Sequence, residues 1–570
     1  MKKRVLFITA LSACFCVSCD KDLDTGNVNG SSSNDVAFVN ISLNLPTNDG
    51  TTRALSKDGT GGNGNFFDGL PEEYQVKDAI LVIFQGASEE TAQFHQAINL
   101  GTDFVNNGTP DGPITSTYKT VLKVKKPTEN NQLFGLAILN ANNLFQVVPA
   151  TDEDGLDKLQ WKSPGSFEFT DFTGSYTSLQ SSYNIASASI ASAERGFLML
   201  NAPQGTKEGD EPQDGQDVFT LVSMQYYDTE EAANNSSADP IYVERVVSKA
   251  TVKLGNGAVD NTLTVNDGYY KGASVTFDGW KLNITNKSTF LLRKVEGWDT
   301  WKTYYNKDAA SKENRFFGLT SNPVRVHWAV DTNYGSSKED DFTIYSEQKQ
   351  PDSWNSITDL KPEYCLENTT TAVDMDKNKL TSVLFKTVFT PKDTRPGDSF
   401  FVMGLNEAIY TTEQFVTSVN NVIYPNKITS DKISGNQGHT YKTADEISQW
   451  LSISQEDAQK LLDHHVFHDG IKYYKDGVTY YFATTIKHFG DYYTPYLGDK
   501  SHISYNENEH LGRFGMLRNN WYELVVRSVS GPGEPEIPTE PEEPVDKENA
   551  YINVSVNILP WTIRRQEVDL

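Results

Sequence analysis

The sequence is poor in cysteine. Its 570 residues include four cysteines, and three of them, Cys14, Cys16 and Cys19, stand within the first nineteen positions. If this segment is removed on export, Cys365 is left without a cysteine partner, which excludes a disulfide framework in the mature chain. A redox or metal-binding role for Cys16 and Cys19 is disfavoured, because a hydrophobic export segment is the wrong setting for that chemistry.

Positive charge is also scarce. Lysine and arginine together number 50, against 76 aspartates and glutamates, so the formal net charge is −26. Such a charge repels both nucleic-acid phosphates and anionic lipid headgroups. We therefore expect no nucleic-acid partner.

Catalytic motifs are missing as well. The sequence contains no phosphate loop, no G-x-S-x-G elbow and no H-E-x-x-H. His464, His465 and His468 are possible metal ligands, but they stand at the end of a predicted helix without a matching cluster, and the acidic run at 152–157 lacks the spacing of a calcium loop. We expect no catalytic residue, no cofactor and no metal site, and therefore no enzyme.

The N-terminus lacks a hydrophobic run long enough to span a bilayer. Residues 1–19 read MKKRVLFITALSACFCVSC, a basic start followed by a short apolar run. This is the layout of a secretory signal, and small residues before a cysteine are typical of a lipoprotein signal. LSAC, ending at Cys14, has the more usual letters, whereas Cys19 leaves a more normal apolar length. We expect lipidation at Cys19 and attachment to a membrane through acyl chains.

Strand-forming residues are abundant. Aromatic residues make up 11% of the chain, and threonine, valine, glycine and asparagine are common. This composition predicts a mainly β protein, and the length predicts at least two domains. Short candidate strands between turn signals predict one β-sandwich over 54–295 and a second over 296–530. Two small helices are predicted from the capping pairs Thr443 with Glu446 and Ser454 with Asp457, and Asp476-Gly477 predicts a hairpin turn.

An alternating strand lies near the N-terminus, within a tether and propeptide segment at 20–53. It places Val39, Ile41, Leu43 and Leu45 on one face and polar residues on the other, which predicts a half-buried strand. The following segment, 47–65, contains Arg53, the only arginine between Arg4 and Arg195. Such polar loops attract proteolysis, so an arginine-specific protease is expected to cut between Arg53 and Ala54. The alternative is an ordinary surface arginine.

The C-terminus repeats that strand. After an arm at 531–550, in which prolines at every third position predict a stiff polyproline II segment, the tail at 551–570 begins YINVSVNILPW. Its aliphatic face superposes on that of the N-terminal strand, and the three intervening polar residues are identical. Two strands with matching faces can occupy one groove in one register, which predicts donor-strand exchange between subunits. Alternatively, both are edge strands that use common residues. The tail's aliphatic residues are Ile552, Val554, Val556 and Ile558, and Trp561 follows them.

Longer motifs carry a family resemblance. They are VNISLNLP with TTRA near the start, VERVVSKATVKL, RVHWAVDTNY, YKDGVTYYFATTIKH, GRFGMLRNNWYELVVRSVSGPGEP and the ending INVSVNILPWTIRRQEVDL. Together with the lipoprotein start, their order resembles the Bacteroidales fimbrillin superfamily, and within it the major subunits of short (minor-type) fimbriae, a type V pilus.

The resemblance implies two tandem transthyretin-like β-sandwich domains and a lipidated precursor at the outer membrane. It further implies that an arginine-specific protease removes the N-terminal strand and that the subunit polymerises through its C-terminal strands into a cell-surface fimbrium. Carried onto this chain, Cys19 is the lipidated residue, the bond after Arg53 is cut, and 551–561 is the donor segment. The implied partners are further copies of the chain and accessory fimbrial subunits.

Two alternatives remain open at this level. Anchor and tip subunits of fimbriae share the fold, and some lack the cleavage or the donor tail. A lipid-anchored glycan-binding protein is the other alternative, because tyrosine rings can stack on sugars. The tyrosines that suggest it are Tyr473, Tyr474, Tyr480 and Tyr481.

Overall fold

The computed structural model describes most of the chain between residues 35 and 560. The described residues are 35–44, 73, 75–101, 117–150, 156–192, 194–205, 207–208, 211–212, 218–255, 257–304, 315–318, 324–335, 338–359, 361–377, 379–433, 437–483, 486–499, 502–537 and 552–560. The fold is mainly β, as predicted, with several sheets and few helices. Within the described residues, no helix combines the length and the apolar character that crossing a membrane requires.

The strands of the first half are β1 (Val36–Asn44), β2 (Ala79–Gly86), β3 (Gln93–Asn99), β4 (Thr117–Lys125), β5 (Gln132–Leu139), β6 (Phe145–Val148), β7 (Lys158–Trp161), β8 (Thr170–Asp171), β9 (Ser182–Asn184), β10 (Ala191–Ser192), β11 (Gly196–Phe197), β12 (Met199–Asn201), β13 (Gln204–Gly205), β14 (Lys207–Glu208), β15 (Glu211–Pro212), β16 (Val222–Met224), β17 (Tyr226–Tyr227) and β18 (Asp239–Arg245). The short helices here are α1 (Ser187–Ile190) and α2 (Glu230–Asn234).

The strands of the second half are β19 (Val247–Leu254), β20 (Thr262–Thr264), β21 (Ser274–Asn283), β22 (Thr285–Asn286), β23 (Ser288–Phe290), β24 (Phe317–Gly318), β25 (Val324–Val326), β26 (Phe342–Thr343), β27 (Glu363–Leu366), β28 (Ser382–Thr390), β29 (Phe400–Met403), β30 (Ala408–Thr411), β31 (His439–Tyr441), β32 (Ile471–Tyr474), β33 (Val478–Ala483), β34 (Asn520–Val529) and β35 (Ile552–Pro560). The helices are α3 (Trp298–Trp301), α4 (Thr412–Val422), α5 (Ala444–Leu451), α6 (Gln455–Asp463), α7 (Gly490–Tyr493) and α8 (Glu507–His510).

A nine-stranded sheet organises the first half. Its order is β17-β1-β18-β12-β5-β2-β3, with β16 paired to β5 and β4 paired to β1. The central strands β2 and β5 are almost uniformly apolar and buried, as expected for strands covered on both faces. Their side chains form one hydrophobic core together with the apolar residues of β1 and β18.

Two four-stranded sheets form the second half. Their orders are β27-β19-β34-β35 and β20-β21-β28-β33. Side chains from both sheets, such as Trp280, Phe385 and Tyr522, meet in a single core. Packing of two sheets through one shared core is the arrangement of a β-sandwich.

The two cores do not divide at one point of the chain, since the first still includes Leu291, Leu292 and Leu366. The domain boundary at residue 295 stays a prediction. Strands β19, β20 and β21, which end at Asn283, already contribute to the second core. The reason is that β18 runs into β19 with only Val246 between them, so a single extended segment leaves the first core and enters the second. No cluster of turn residues marks this passage in the sequence.

A third core contains the helical insertion. Helices α4, α5 and α6 pack with the sheet β30-β29-β32-β31. The two predicted helices are confirmed as α5 and α6: Thr443 and Glu446 form a capping box, and Ser454 accepts a hydrogen bond from the Asp457 N–H. Helix α4 was not predicted, although its own capping box, Thr411 with Gln414, is a signal that the sequence contains.

The predicted hairpin at Asp476-Gly477 is wrong. Both residues have positive φ, 55° and 72°, so a tight turn does lie there. However, β32 before the turn pairs with β29 and β31, whereas β33 after it pairs with β28. The turn therefore passes the chain from one sheet to another, because more distant strands supply better partners than the neighbouring segment.

Glu89, in the turn between β2 and β3, should make the stability of the protein depend on pH. Its carboxylate accepts hydrogen bonds from the N–H groups of Thr220 and Leu221. Burial nevertheless raises its pKa from 4.5 to about 7. Between those values the folded protein keeps a proton that the unfolded chain has released, so the free energy of unfolding falls as pH rises through this window and is level above it.

The substitution Glu89→Gln removes this contribution. The stability of the variant relative to wild type should therefore rise as the pH rises from about 4.5 to about 7.5. At the upper end of this range the difference in the free energy of unfolding should reach up to about 3 kcal/mol. Urea unfolding of both proteins across this range measures the difference, with Glu90→Gln on the same turn as the exposed control. Parallel stability curves for wild type and Glu89→Gln would contradict the assignment.

Candidate functional site

Strand β1 is a central strand of the first sheet. It pairs antiparallel with β4 along its whole length, from Val36 opposite Lys125 to Asn44 opposite Thr117. Its other edge pairs antiparallel with β17 and then parallel with β18. Its removal would therefore leave two unpaired strand edges facing each other. We call the space that β1 fills between β4 and β17/β18 the β1 groove.

The apolar face of β1 is completely buried. Ala37, Val39, Ile41 and Leu43 are each at most 1% exposed and belong to the first core. Leu45, the fourth residue of the predicted face, lies outside the described residues. A strand that places four apolar side chains in the core contributes several kcal/mol of hydrophobic burial, at about 1.5–3 kcal/mol for each large side chain.

The polar face of β1 is buried too, which corrects the prediction of a half-buried strand. Asn40 is 8% exposed and Ser42 4%. Asn40 Nδ2 donates to the backbone carbonyls of Ala233 (3.0 Å) and Ser236 (3.1 Å), at the end of α2. The Ala233 carbonyl also accepts hydrogen bonds from the N–H and the hydroxyl of Ser236, so the Asn40 amide is one of several donors at this helix end. Asn40 thus contacts the end of α2, which is distant in sequence and was not predicted.

The C-terminal strand β35 has a partner within the chain. None was predicted from the sequence, but the structure pairs β35 antiparallel with β34, from Asn520 opposite Pro560 to Val529 opposite Ile552. It occupies the end position of its sheet, β27-β19-β34-β35. Val554 is 9% exposed and contacts the second core, while the backbone alone is described for Ile552, Val556 and Ile558. Trp561 lies outside the described residues.

The structure places the two similar strands in different sheets. Both β1 and β35 are nine residues long. One is held on both edges in the first half, and the other lies at the edge of the second half. The chain therefore has a single β1 groove, occupied by β1, and a like-patterned strand at a sheet edge.

The root of the arm is attached to the second half of the molecule. Tyr474 and Tyr481 donate their hydroxyls to the carbonyls of Gly533 (2.7 Å) and Gly531 (2.8 Å), respectively. Tyr480 and Glu534 exchange two backbone hydrogen bonds. Ile537 is 2% exposed. The root of the arm is therefore held by these contacts as far as Ile537, the last described residue before β35.

These contacts remove the basis for the glycan-binding alternative. The four tyrosines that suggested it are 1% to 8% exposed, and their rings pack in hydrophobic cores. Tyr473 and Tyr474 are adjacent in β32 but pack in different cores. Tyr473 belongs to the third core, and Tyr474 belongs to the second. Rings held in this way present no face to a sugar. The tyrosines in question are Tyr473, Tyr474, Tyr480 and Tyr481.

The histidine run at the end of α6 forms no metal cluster with other ligands in the described residues. His464 directly follows α6, and its ring lies tilted by 37° against that of His465, with 4.3 Å between the ring centres. A different group, Glu347, His439 and Glu536, brings three possible ligand atoms within 4.8 Å of one another. No local sequence signal marks it, since the three residues come from separate segments. His439 Nδ1 already contacts Glu536 at 2.5 Å, and burial raises the pKa of Glu536.

The remaining cysteine is chemically inert. Cys365 is buried, and burial raises the pKa of its thiol to about 12. A thiol of this kind carries almost no reactive thiolate at neutral pH.

Several predicted site residues lie outside the described residues. They are the lipidation candidates Cys14 and Cys19 and the cleavage residues Arg53 and Ala54. Their assigned roles remain predictions.

One region of the chain matches the model of a known protein family. Residues 472–567 match the family model described as major fimbrial subunit protein type IV, fimbrillin, C-terminal. The C-terminal region is fimbrillin-like. This match confirms the resemblance to the fimbrillin superfamily, and the fimbrillin-like region contains β33, β34, the root of the arm and β35. No curated protein sequence matches the chain.

Two of the solved structures that the comparison matches to this chain come from the bacteria Parabacteroides distasonis and Porphyromonas gingivalis. One is a Parabacteroides distasonis protein provisionally named a cell adhesion protein, with a TM-score of 0.37, 11% identity, and coverage of 93% of this chain and 99% of that one. Another is the tip fimbrial protein Mfa3 from Porphyromonas gingivalis, with a TM-score of 0.28 and 8% identity. The match covers 91% of this chain and 99% of that one. TM-scores below 0.5 do not establish a shared fold, so these similarities stand as observations only.

Proposed function

We propose that this chain is a structural subunit of a cell-surface fimbrium. It is exported as a precursor lipidated at Cys19 and held at the outer membrane. An arginine-specific protease cuts it between Arg53 and Ala54. The subunit then polymerises by donor-strand exchange, in which the tail of one subunit fills the β1 groove of the next.

The observation that carries this proposal is the position of β1. A strand paired on both edges and buried on both faces is normally inseparable from its sheet. Here the predicted cleavage site, Arg53, lies only nine residues beyond the end of β1 at Asn44. After a cut there, non-covalent contacts alone would hold β1, and its departure would open two strand edges, a ready template for a strand from another chain.

The tail fits this role in pattern and in position. It repeats the aliphatic and polar alternation of β1, and it lies at a sheet edge with β34 as its strand partner. The arm after Ile537 would carry it outward to a neighbour. Because each subunit offers a groove at one place and a tail at another, the contact is head-to-tail and gives an open filament. The proposed partners are copies of the same chain and accessory fimbrial subunits, and the role needs no catalytic residue.

The substitution Arg53→Ala tests the mechanism. N-terminal sequencing of surface protein should find Ala54 first in wild type and an acylated Cys19 start in the variant. Polymer ladders on gels should be present in wild type and absent in the variant, because an uncut β1 stays in its groove. Arg195→Ala, at an exposed arginine in a turn, is the matched control and should behave as wild type.

A wild-type start at Cys19 that the substitution does not change would contradict the mechanism. It would favour instead an unprocessed anchor or tip subunit of a fimbrium. An acylated start at Cys14 in the variant would move the lipidation assignment away from Cys19.

A further inference from the structure

The β1 groove contains a polar contact of unusual placement. The side-chain amide of Asn40 is buried, and its Nδ2 atom donates to two backbone carbonyls at the end of α2. We call these carbonyls, of Ala233 and Ser236, the carbonyl pair. They are separated from Asn40 by 193 and 196 positions in sequence. These hydrogen bonds are therefore long-range in sequence, and they can form only when β1 occupies its groove.

The carbonyl pair selects for the chemistry of whatever strand occupies the groove. It offers acceptors only, at the negative end of a helix, so it favours an NH₂ group and disfavours a carboxylate. An aliphatic side chain at this position would remove the Asn40 donor from a buried carbonyl, that of Ala233, and from a part-buried one, that of Ser236. The Ala233 carbonyl would keep its hydrogen bonds from the N–H and the hydroxyl of Ser236, so the larger loss falls on the Ser236 carbonyl. The groove thus distinguishes asparagine from other residues at one position of the strand.

The tail presents an asparagine at the corresponding position. When Val554 is placed on Ile41, as the matching aliphatic faces require, Asn553 falls on Asn40. We propose that the carbonyl pair is a register-selecting site for the tail of a second copy of this chain, and that Asn553 is the residue it recognises. This inference rests on the proposed strand exchange and names a residue that determines its register.

Register needs such a device because the aliphatic pattern alone does not set it. A slip of one residue turns the apolar face outward, but a slip of two residues keeps every aliphatic side chain facing the core. After a slip of two in one direction, Ser555 would face the carbonyl pair with a shorter side chain and a single donor. The side-chain amide of Asn553 therefore favours the correct register over the register that is slipped by two residues. A single buried asparagine fixes the register of coiled coils in the same way.

The first experiment tests the carbonyl pair without any strand exchange. In the uncleaved Arg53→Ala precursor, β1 stays in its groove, and Asn40→Ala should make the first half unfold about tenfold more readily. Asn40→Asp should be worse, because a carboxylate would face two carbonyl oxygens. Asn34→Ala, one position before the described part of the N-terminal segment, is the control. An unfolding curve for Asn40→Asp that matches the uncleaved parent would overturn the role assigned to the carbonyl pair.

The second experiment tests the tail in assembled polymers. Asn553→Ala should raise the rate at which labelled subunits leave ladders in mild denaturant by about tenfold. Asn557→Ala is the matched control, since it deletes the same amide from the same face about 13 Å further along the strand, out of reach of the carbonyl pair. Equal rates for Asn553→Ala and wild type would overturn the role of Asn553.

The third experiment measures the register directly. Ser42 lies opposite Lys119 of β4, so Ser555 of an incoming tail should lie opposite Lys119 of the receiving subunit. A disulfide between Ser555→Cys and Lys119→Cys should form in otherwise wild-type polymers. With Asn553→Ala added, cross-links from position 555 to Val121→Cys or Thr117→Cys should appear, as expected for slips of two residues. Cys365 does not compete, because it is buried and unreactive.

The outcomes separate this inference from the proposed function. If wild-type subunits form no ladders, strand exchange itself fails, and the inference fails with it. If ladders form and the cross-link to position 119 is as dominant in Asn553→Ala as in wild type, exchange stands and the register-selecting role is overturned. Slipped cross-links that appear with Asn553→Ala and not with Asn557→Ala support the inference.

Discussion

Deletion of residues 551–570 should abolish polymerisation and leave a folded subunit. The tail supplies the strand that fills a neighbour's β1 groove, so its loss removes the only donor that the proposed mechanism provides. The fold should survive because β35 is at the end of its sheet, and β34 keeps its parallel pairing with β19 from Lys249 opposite Trp521 to Leu254 opposite Val526. Gel ladders and circular dichroism of the purified protein measure the two effects.

The matched control for this truncation is deletion of 562–570 alone. It leaves β35 complete, so ladders should persist if the strand itself is the donor. The truncated chain with 551–570 removed should still be cut after Arg53 and should still accept the tail of a full-length subunit, which places it at one end of a filament. Ladders of normal length from the truncated protein alone would contradict donation by the tail.

Glu73→Gln should be the most destabilising of the point substitutions considered for the fold. Glu73 accepts hydrogen bonds from Lys249 Nζ at 2.6 and 2.9 Å and from the hydroxyl of Tyr364 at 2.6 Å. The side chains of Glu73 and Lys249 are 0% and 3% exposed. Loss of the carboxylate removes the Glu73 counter-charge from a buried ammonium group, and breaking a buried ion pair costs about 3–5 kcal/mol.

Chemical denaturation followed by tryptophan fluorescence measures this loss, because Lys249 Nζ lies 4.1 Å from the centre of the Trp521 ring. Glu90→Gln, at an exposed glutamate, is the control and should change stability by less than about 0.5 kcal/mol. The double variant Glu73→Gln with Lys249→Met should recover part of the loss, since it also removes the buried positive charge. Wild-type stability of the Glu73→Gln single variant would show that the buried pair is dispensable.

This ion pair also has a place in the proposed maturation. Glu73 is the first described residue after the predicted cleavage site, and its backbone carbonyl accepts two hydrogen bonds from the buried guanidinium of Arg245. The mature chain would therefore be attached to the strand that joins the two halves, close to its new N-terminus. The cut after Arg53 would release β1 without loosening this attachment.

Local patterns in the sequence were enough to predict some elements. The alternation of Val39, Ile41 and Leu43 correctly identified the buried face of β1, because side chains alternate with period two in any strand. The capping residues Thr443 and Ser454 correctly located the starts of α5 and α6, because a cap acts within one helical turn. The composition correctly indicated a mainly β fold.

Contacts between distant segments decided the rest. The alternating pattern predicted an exposed face for Asn40 and Ser42, but both are buried, and Asn40 donates to a carbonyl of α2, almost 200 positions later. The turn signal at Asp476 predicted a hairpin, but the strand on each side of it found partners in another sheet. The tyrosines that suggested a sugar-binding surface became core residues for the same reason.

The sequence by itself therefore determined the mainly β composition, the starts of α5 and α6, the apolar face of β1, and that the two ends of the chain carry the same strand pattern. Only the tertiary structure decided that β1 is a central strand buried on both faces, that β35 lies at a sheet edge, and that Asn40 meets the carbonyl pair of α2. The physical reason is that periodicity and capping act over a few residues, whereas pairing and burial depend on which distant backbone edges and core surfaces the folded chain brings together.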